Sequence, residues 1–219
     1  MAEKRKIYKK SIHSIKEIAQ NVFVLSFARD FEFRAGQVVA VDVVTDGEPR
    51  LYSIASGELD EYIEILFDEK PDGKLTPKLS ALLPGDTIYV SEPFGNFICN
   101  DESAWWIASG TGVAPFVSMV RSGQEIGKIL IHGGRYDENF YFSDLLENKL
   151  SGNYIRCATQ QADSAYYKGR LTGWLREQSF LPTELKYYLC GSPEMVVEVR
   201  DILISRHIPF GQIISETYF

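Results

Sequence analysis

The feature that most constrains this chain is a change of hydrophobic period near Asn100. From Ile7 to about Phe97, short runs rich in β-branched and aromatic residues recur as NVFVLSF, QVVAVDVV, RLYSIAS, YIEILFD and TIYVSEP. Turn clusters such as TDGEP, KPDG and PGD separate them, and strands at this spacing predict an antiparallel barrel or sandwich. One short helix is expected at TPKLSALL, with Thr76 as N-cap and Pro77 at the first helical position. From about Ala104 the runs WWIAS, KILIHGG, YIRCATQ and KYYLCG alternate with helical candidates PFVSMVRSG, FSDLLENKL, LTGWLREQS and PEMVVEVRDILISRH. In the last of these, Ser192-Pro193 makes a helix start, and Val196, Val199 and Leu203 follow a helical stripe. Strand–helix alternation predicts an open parallel α/β sheet with crossover helices. Two domains follow, an antiparallel β-barrel over residues 1–99 and an α/β domain over 100–219.

Composition narrows the function classes. With 45% hydrophobic and 13% aromatic residues, the 219-residue chain is not of the disordered class. No window approaches the roughly 18 apolar residues of a membrane span, and MAEKRKIYKK is not followed by the apolar stretch of a secretory signal. Cys99, Cys157 and Cys190 have no CxxC spacing, which argues against a disulfide framework, a zinc site or a four-cysteine iron–sulfur cluster within the chain. A reducing cytoplasm is the expected compartment. A net charge of -7 disfavours general nucleic-acid or anionic-membrane binding. The first ten residues depart from that balance with Lys4, Arg5, Lys6, Lys9 and Lys10. They read either as a solvated edge strand or as a landing patch for an acidic protein.

Five motifs carry candidate chemistry. Gly110-Thr111-Gly112-Val113-Ala114-Pro115 follows a strand and opens a helix, where glycines admit a pyrophosphate and free N–H groups meet it. An ordinary tight turn is the alternative. In Arg50-Leu51-Tyr52-Ser53, alternate residues share a face, so Arg50 and Tyr52 can address one ligand, the arginine forking a phosphate and the tyrosine stacking on a ring. A surface arginine beside a half-buried tyrosine fits the same pattern. Gly73-Lys74-Leu75-Thr76-Pro77 is either a second phosphate cradle or a capped helix. Cys190-Gly191-Ser192-Pro193-Glu194-Met195 lies at the carboxyl end of a strand, where open α/β sheets bind ligands, although a free cysteine is commonly a small core residue. The last motif is Glu216-Thr217-Tyr218-Phe219, whose two aromatics need a flat apolar surface to cover them. Two cradles on two domains, with stackable aromatics, suggest two nucleotides meeting at one interface.

RLYS, GKLTPKLSALLPGD, PFGNF, GTGVAPF, YLCGSPEMV and the terminal ETYF, in this order, resemble the ferredoxin–NADP reductase superfamily, in particular its bacterial ferredoxin/flavodoxin reductases. The resemblance spans nearly the whole chain. It implies FAD in the barrel, with Arg50 on the pyrophosphate, Tyr52 on the isoalloxazine, Ser53 near N5, and Leu51 within the same motif. Backbone N–H groups of Gly73, Lys74, Leu75 and Thr76 would bind the pyrophosphate. It implies a nicotinamide nucleotide on the motif of Gly110, Thr111, Gly112 and Pro115, with Cys190 and Gly191 beside the nicotinamide. Glu216 matches an acid that organises the redox centre, Tyr218 would cover the flavin, and Phe219 would stack on the adenine. Ser53, Cys190 and Glu216 are therefore the catalytic candidates.

Arg135 matches one arginine of the family's 2'-phosphate site. Gln160 and Gln161 stand where a Ser-Arg pair is expected, and Trp174 stands in place of another arginine. A charge-assisted hydrogen bond contributes roughly 1.5–3 kcal/mol, so each lost arginine costs about ten- to a hundredfold in preference for NADPH. NADP and NAD are both open as coenzyme. The implied function is electron transfer between NAD(P)H and ferredoxin or flavodoxin, by hydride transfer between nicotinamide C4 and flavin N5. A flavin or quinone reductase, or an electron-transfer subunit of a larger complex, are the alternatives.

Overall fold

The computed structural model describes residues 5–216. In the first half, β1 (Ile7–Ala19), β2 (Val22–Ala28), β3 (Val38–Asp42), β4 (Arg50–Ser53), β5 (Tyr62–Asp68) and β6 (Thr87–Ser91) form one antiparallel sheet, with helix α1 (Thr76–Ser80) between the last two. The strand order is β4-β3-β6-β1-β2-β5. Its ends meet through a bridge between Ile54 and Ile65 and the Ala55 N–H donating to Glu64 O at 2.8 Å, which closes the sheet into a barrel. Alternate residues point inward, and Leu25, Phe27, Val39, Val41, Ile63, Ile65, Ile88 and Val90 fill the interior.

Two local expectations are corrected. The basic N-terminal strand does not lie at an edge. β1 runs between β6 and β2, pairing with the first over Ile7–Ser11 and with the second from Ile12 onward. Lys10 is only 9% exposed, its ammonium paired with Asp30 and lying 4.1 Å from the centroid of Phe31. Thr76 is not the cap of α1 either. Its hydroxyl accepts the Lys70 N–H at 2.9 Å, and Leu75 occupies the cap position without a side-chain bond. The nearer loop amide captures the hydroxyl, and the loop is tied shut by Gly73 N–H donating to Lys70 O at 2.8 Å.

In the second half, β7 (Ala104–Ser109), α2 (Ala114–Arg121), β8 (Lys128–Gly134), α3 (Ser143–Leu150), β9 (Tyr154–Ala158), β10 (Tyr167–Lys168), α4 (Leu171–Glu177), β11 (Lys186–Cys190), α5 (Pro193–Ser205) and β12 (Ile213–Glu216) follow in turn. The strands are parallel, in the order β10-β9-β8-β7-β11-β12. Fully apolar strands such as AWWIA suit a sheet covered on both faces. α2 and α3 contribute to one buried cluster, and α4 and α5 to another. The chain steps outward from β7 to β10 and then returns to the other side of β7 at β11. The crevice between the carboxyl ends of β7 and β11 is therefore the switch point where such sheets bind ligands.

Helix α2 joins the halves. Ser118 donates to Ser56 O at 2.6 Å, the Glu58 N–H donates to Ser122 Oγ at 3.0 Å, and Arg121 pairs with Asp60 at 2.9 Å and Glu64 at 2.5 Å. Val22, Ala55, Leu66 and Phe97 of the barrel share a buried cluster with Phe116, Val117 and Val120 of that helix. Among the described residues, no helix is long and apolar enough to cross a membrane.

Candidate active site

At the switch point two turns face each other. β7 ends at Ser109, and Gly110, at φ +54°, begins a 3-10 turn that leads into α2. β11 ends at Cys190, followed by Gly191 and by Ser192, whose hydroxyl caps α5 by accepting the Met195 N–H at 3.2 Å. A Cβ on Gly112 would lie 2.4 Å from Cys190 O, and one on Gly191 would lie 2.2 Å from Ser109 Oγ. These glycines let two protein turns pack, and the Ser192 N–H donates to Ser109 Oγ at 3.1 Å across the contact. Room for a ligand is the relevant reason only at Gly110, where a Cβ would meet open space.

Two adjoining cavities open from this contact. One, of about 330 Å³, lies between the halves and is lined by Leu51, Tyr52 and Ser53 of β4 and by Thr111, Gly112 and Cys190. The other, of about 550 Å³, starts at Ser109 and Ser192 and follows the strand ends to Arg135, Thr159 and Thr172. Asp68 borders both. Volumes of this size suit a nucleotide.

Tyr52 is set by Phe67, which meets its ring edge-on with centroids 6.1 Å apart, and burial pushes its phenol pKa up. Leu51 is 39% exposed, an apolar side chain turned into the cleft. Ser53, Cys190 and Glu216, from three separate motifs, come together. Cys190 sits opposite Glu216 in the β11–β12 register. Burial pushes the Cys190 thiol up, the Glu216 carboxylate adds to this, and a hydrogen bond with Ser53 opposes it. Gly95, at φ +109°, brings the PFGNF turn beside the same carboxylate, since a Cβ there would lie 3.7 Å from Glu216 Oε1.

Other expected residues are placed differently. Arg50 is exposed and shares a face with Tyr52, but it lies outside both cavity walls. Thr76 reaches the smaller cavity, whereas Lys74 is exposed 3.6 Å from Glu48 and Leu75 is buried in the barrel. Pro115 is buried in α2 and lines neither cavity. Arg135 lines the larger cavity. Gln160 and Gln161 are engaged with the neighbouring turn after β8, the first through its N–H to Arg135 O and the second by accepting the Asp137 N–H. Trp174 packs on Trp105 at 6.2 Å. Tyr218 and Phe219, and Lys4 of the basic N-terminal patch, lie outside the described residues.

His132 is the residue that motif reading passed over. It is fully buried beneath the glycine turn, with Nε2 3.2 Å from Gly110 O and Nδ1 3.1 Å from the Tyr154 hydroxyl. A carbonyl can only accept, so Nε2 carries the proton and Nδ1 accepts from Tyr154. Desolvation lowers its pKa to about 4, with the Arg156 charge acting in the same direction and the Gly110 bond opposing. A neutral imidazole thus fixes the carbonyl that orients the turn. The available signal was a lone polar side chain ending the apolar run KILI before two glycines.

Comparisons with known proteins agree with this geometry. The family described as Oxidoreductase FAD-binding domain matches residues 9–98, and the one described as Oxidoreductase NAD-binding domain matches residues 106–201. The chain is 31% identical over 189 residues to the flavodoxin/ferredoxin–NADP reductase of Escherichia coli, covering 75% of this chain and 76% of that protein. It is 28% identical to the ferredoxin–NADP reductase of Pseudomonas aeruginosa, over 91% of this chain and 90% of that one. The toluate 1,2-dioxygenase electron transfer component of Pseudomonas putida is also 28% identical, with 92% of this chain matching 64% of its length. In fold, a ferredoxin NADP+ reductase from Neisseria gonorrhoeae with bound FAD and NADP superposes with a TM-score of 0.86 at 22% identity, covering 97% of this chain and 99% of that one. The barrel, the switch-point crevice and these matches together make the chain a member of the ferredoxin–NADP reductase family, an oxidoreductase with FAD and a nicotinamide dinucleotide as cofactors.

Proposed function

We propose that this protein passes electrons between NAD(P)H and a one-electron carrier, ferredoxin or flavodoxin. FAD is held by a barrel domain of residues 1–99 and the coenzyme by an α/β domain of residues 100–219. The observation that carries this reading is the meeting of Ser53 and Cys190 in the wall of the smaller cavity, with Glu216 opposite Cys190 in the neighbouring strand. Bound FAD supplies hydride acceptance from nicotinamide C4 at N5 and the release of single electrons. The protein's share is orientation and exclusion of water.

The residues present fit that share. The apolar Leu51 and the Phe67-braced Tyr52 offer a flat wall, and Thr76 adds a hydroxyl in the same cleft. Arg50, on the face of Tyr52, is the cation for the pyrophosphate, and Lys74, Leu75 and Thr76 supply amides, whereas the Gly73 N–H is not available because it is donated to Lys70 O. On the opposite wall Thr111 and Gly112 line the coenzyme's path, and Gly110 keeps the turn open. Cys190 stays a protonated thiol at neutral pH, so it serves as a compact wall rather than a nucleophile. Arg5, whose guanidinium lies 3.6 Å from the Phe94 centroid, and Lys6, 4.8 Å from that of Tyr8, offer a local basic rim for an acidic carrier. Lys10 is excluded from that rim by its burial. The cytoplasm, where such carriers and reduced cysteines coexist, is the proposed compartment.

The test is anaerobic reduction of cytochrome c by NADH or NADPH with catalytic flavodoxin or ferredoxin. Carrier-dependent turnover that falls with salt supports the reading, since exposed charges are screened over about 8–10 Å near physiological ionic strength. Turnover with free flavin alone, or only with an oxygenase component as the Pseudomonas putida relative would suggest, overturns the carrier assignment.

A further inference from the structure

We infer that the larger cavity selects NAD(H) over NADP(H), with Glu194 and Glu198 of α5 as the specificity-determining residues. This rests on the reading of that cavity as the coenzyme site. A dinucleotide whose nicotinamide end lies at Cys190 passes over the paired Ser109 and Ser192, which line both cavities, and its adenosine half falls in the larger one. NADP differs from NAD there by one phosphate on the ribose, a monoester carrying about -1.5 to -2 charge at pH 7.

The walls of the cavity do not suit such a group. They present Arg135 and Arg170 against the carboxylates of Asp68, Glu69, Glu194 and Glu198. Nor is Arg170 a free cation. Its Nη1 lies 3.9 Å from Glu198 Oε2, and the other oxygen of that carboxylate is held by Arg176 at 3.0 Å. Arg170 is also 79% exposed, which weakens its pull on any anion. That leaves Arg135 as the principal counter-charge to a phosphate surrounded by like charge.

A ribose with both hydroxyls free meets the same walls favourably. Hydroxyls donate to carboxylates in short, charge-assisted bonds. Thr172 gives an independent sign of such a ligand. It is 3% exposed, lines the cavity, and its Oγ1 has no hydrogen-bond partner among the described residues. A buried hydroxyl is normally paired, and a ribose hydroxyl would pair it.

The experiment is calorimetric titration of the FAD-loaded protein with 5'-AMP and with 2',5'-ADP, alongside kcat/KM for NADH and NADPH. The wild type is expected to bind 5'-AMP at least as tightly as 2',5'-ADP. The Glu194→Gln/Glu198→Gln protein is expected to shift both ratios toward the 2'-phosphorylated form by about tenfold, the size expected for removing partly exposed charges beside a dianion. Tighter binding of 2',5'-ADP by the wild type would overturn the inference and leave the coenzyme site intact. Unchanged ratios in the double variant would remove Glu194 and Glu198 from it. The wild-type titration stands even if that variant misfolds. Failure of both probes to bind would remove the cavity from the coenzyme reading altogether.

Discussion

In the parallel sheet, the residues that face ligand lie in one row because the strands end on one edge. Ser109, Gly134, Thr159 and Ser192 line one cavity although 83 positions separate the first from the last. In the barrel, no common edge gathers the site. Leu51, Tyr52 and Ser53 reach the cleft from one strand, and Thr76 reaches it from the start of α1, where its hydroxyl accepts the Lys70 N–H. Topology places the first set and local hydrogen bonding the second. The α/β side should therefore respond to changes in packing beneath its turns, and the barrel side to loss of single side chains.

The largest expected effect is acid loss of stability through His132. Its folded pKa, about 4, lies below the ordinary 6.5, so between these values the unfolded chain binds a proton that the folded one does not. Stability is full above about 6.5, falls with pH through that window and levels below 4, by at most about 3 kcal/mol. Urea titrations of wild type and His132→Gln between pH 7 and 4 check this. The gap between the two proteins should narrow as pH falls, and a constant gap would contradict it.

Arg50→Ala tests the barrel side. Loss of one charge-assisted contact, roughly 1.5–3 kcal/mol, should weaken FAD about ten- to a hundredfold. The ratio of flavin to protein after gel filtration at sub-micromolar concentration reads it, and full retention of flavin would take Arg50 out of the site.

Gly112→Ala sharpens the contrast. The added methyl meets Cys190 O at 2.4 Å, and such overpacking costs about 1–3 kcal/mol. Coenzyme affinity should fall while FAD stays bound, because the displaced turn belongs to the α/β side. Equal loss of both would mean that the turn also supports the barrel's ligand. The smallest effect is chemical. Cys99, Cys157 and Cys190 are buried, and burial pushes the Cys157 thiol up to about 12, so native alkylation by iodoacetamide at pH 8 should be slow at each. Rapid labelling of Cys190 would show that the switch point opens.

Much of this was legible from the sequence where a local pattern and the topology agree. The run WWIAS followed by GTG, and YLCG followed by Ser192-Pro193, mark strand ends whose position in a parallel sheet leaves little freedom. Ser192 caps its helix as its motif predicts. RLYS marks its strand for the same reason. What was not legible depends on long-range partners. Thr76 looks like a cap until Lys70 claims its hydroxyl. The lysine-rich strand looks like an edge until β2 and β6 flank it. His132 acquires its role only when Gly110, 22 positions away, folds over it. Glu198 is one more charge on a helix until the cavity brings it to Arg170.

The central claim is that the α/β edge delivers a nicotinamide to a flavin held by the barrel. Anaerobic stopped-flow mixing of the FAD-loaded protein with NADH and, separately, NADPH tests it most directly. The account predicts rapid bleaching of the flavin absorbance near 450 nm in the wild type, and slower bleaching in Gly112→Ala at equal flavin content. Flavin that stays oxidised with both coenzymes, although dithionite reduces it fully, would contradict the account.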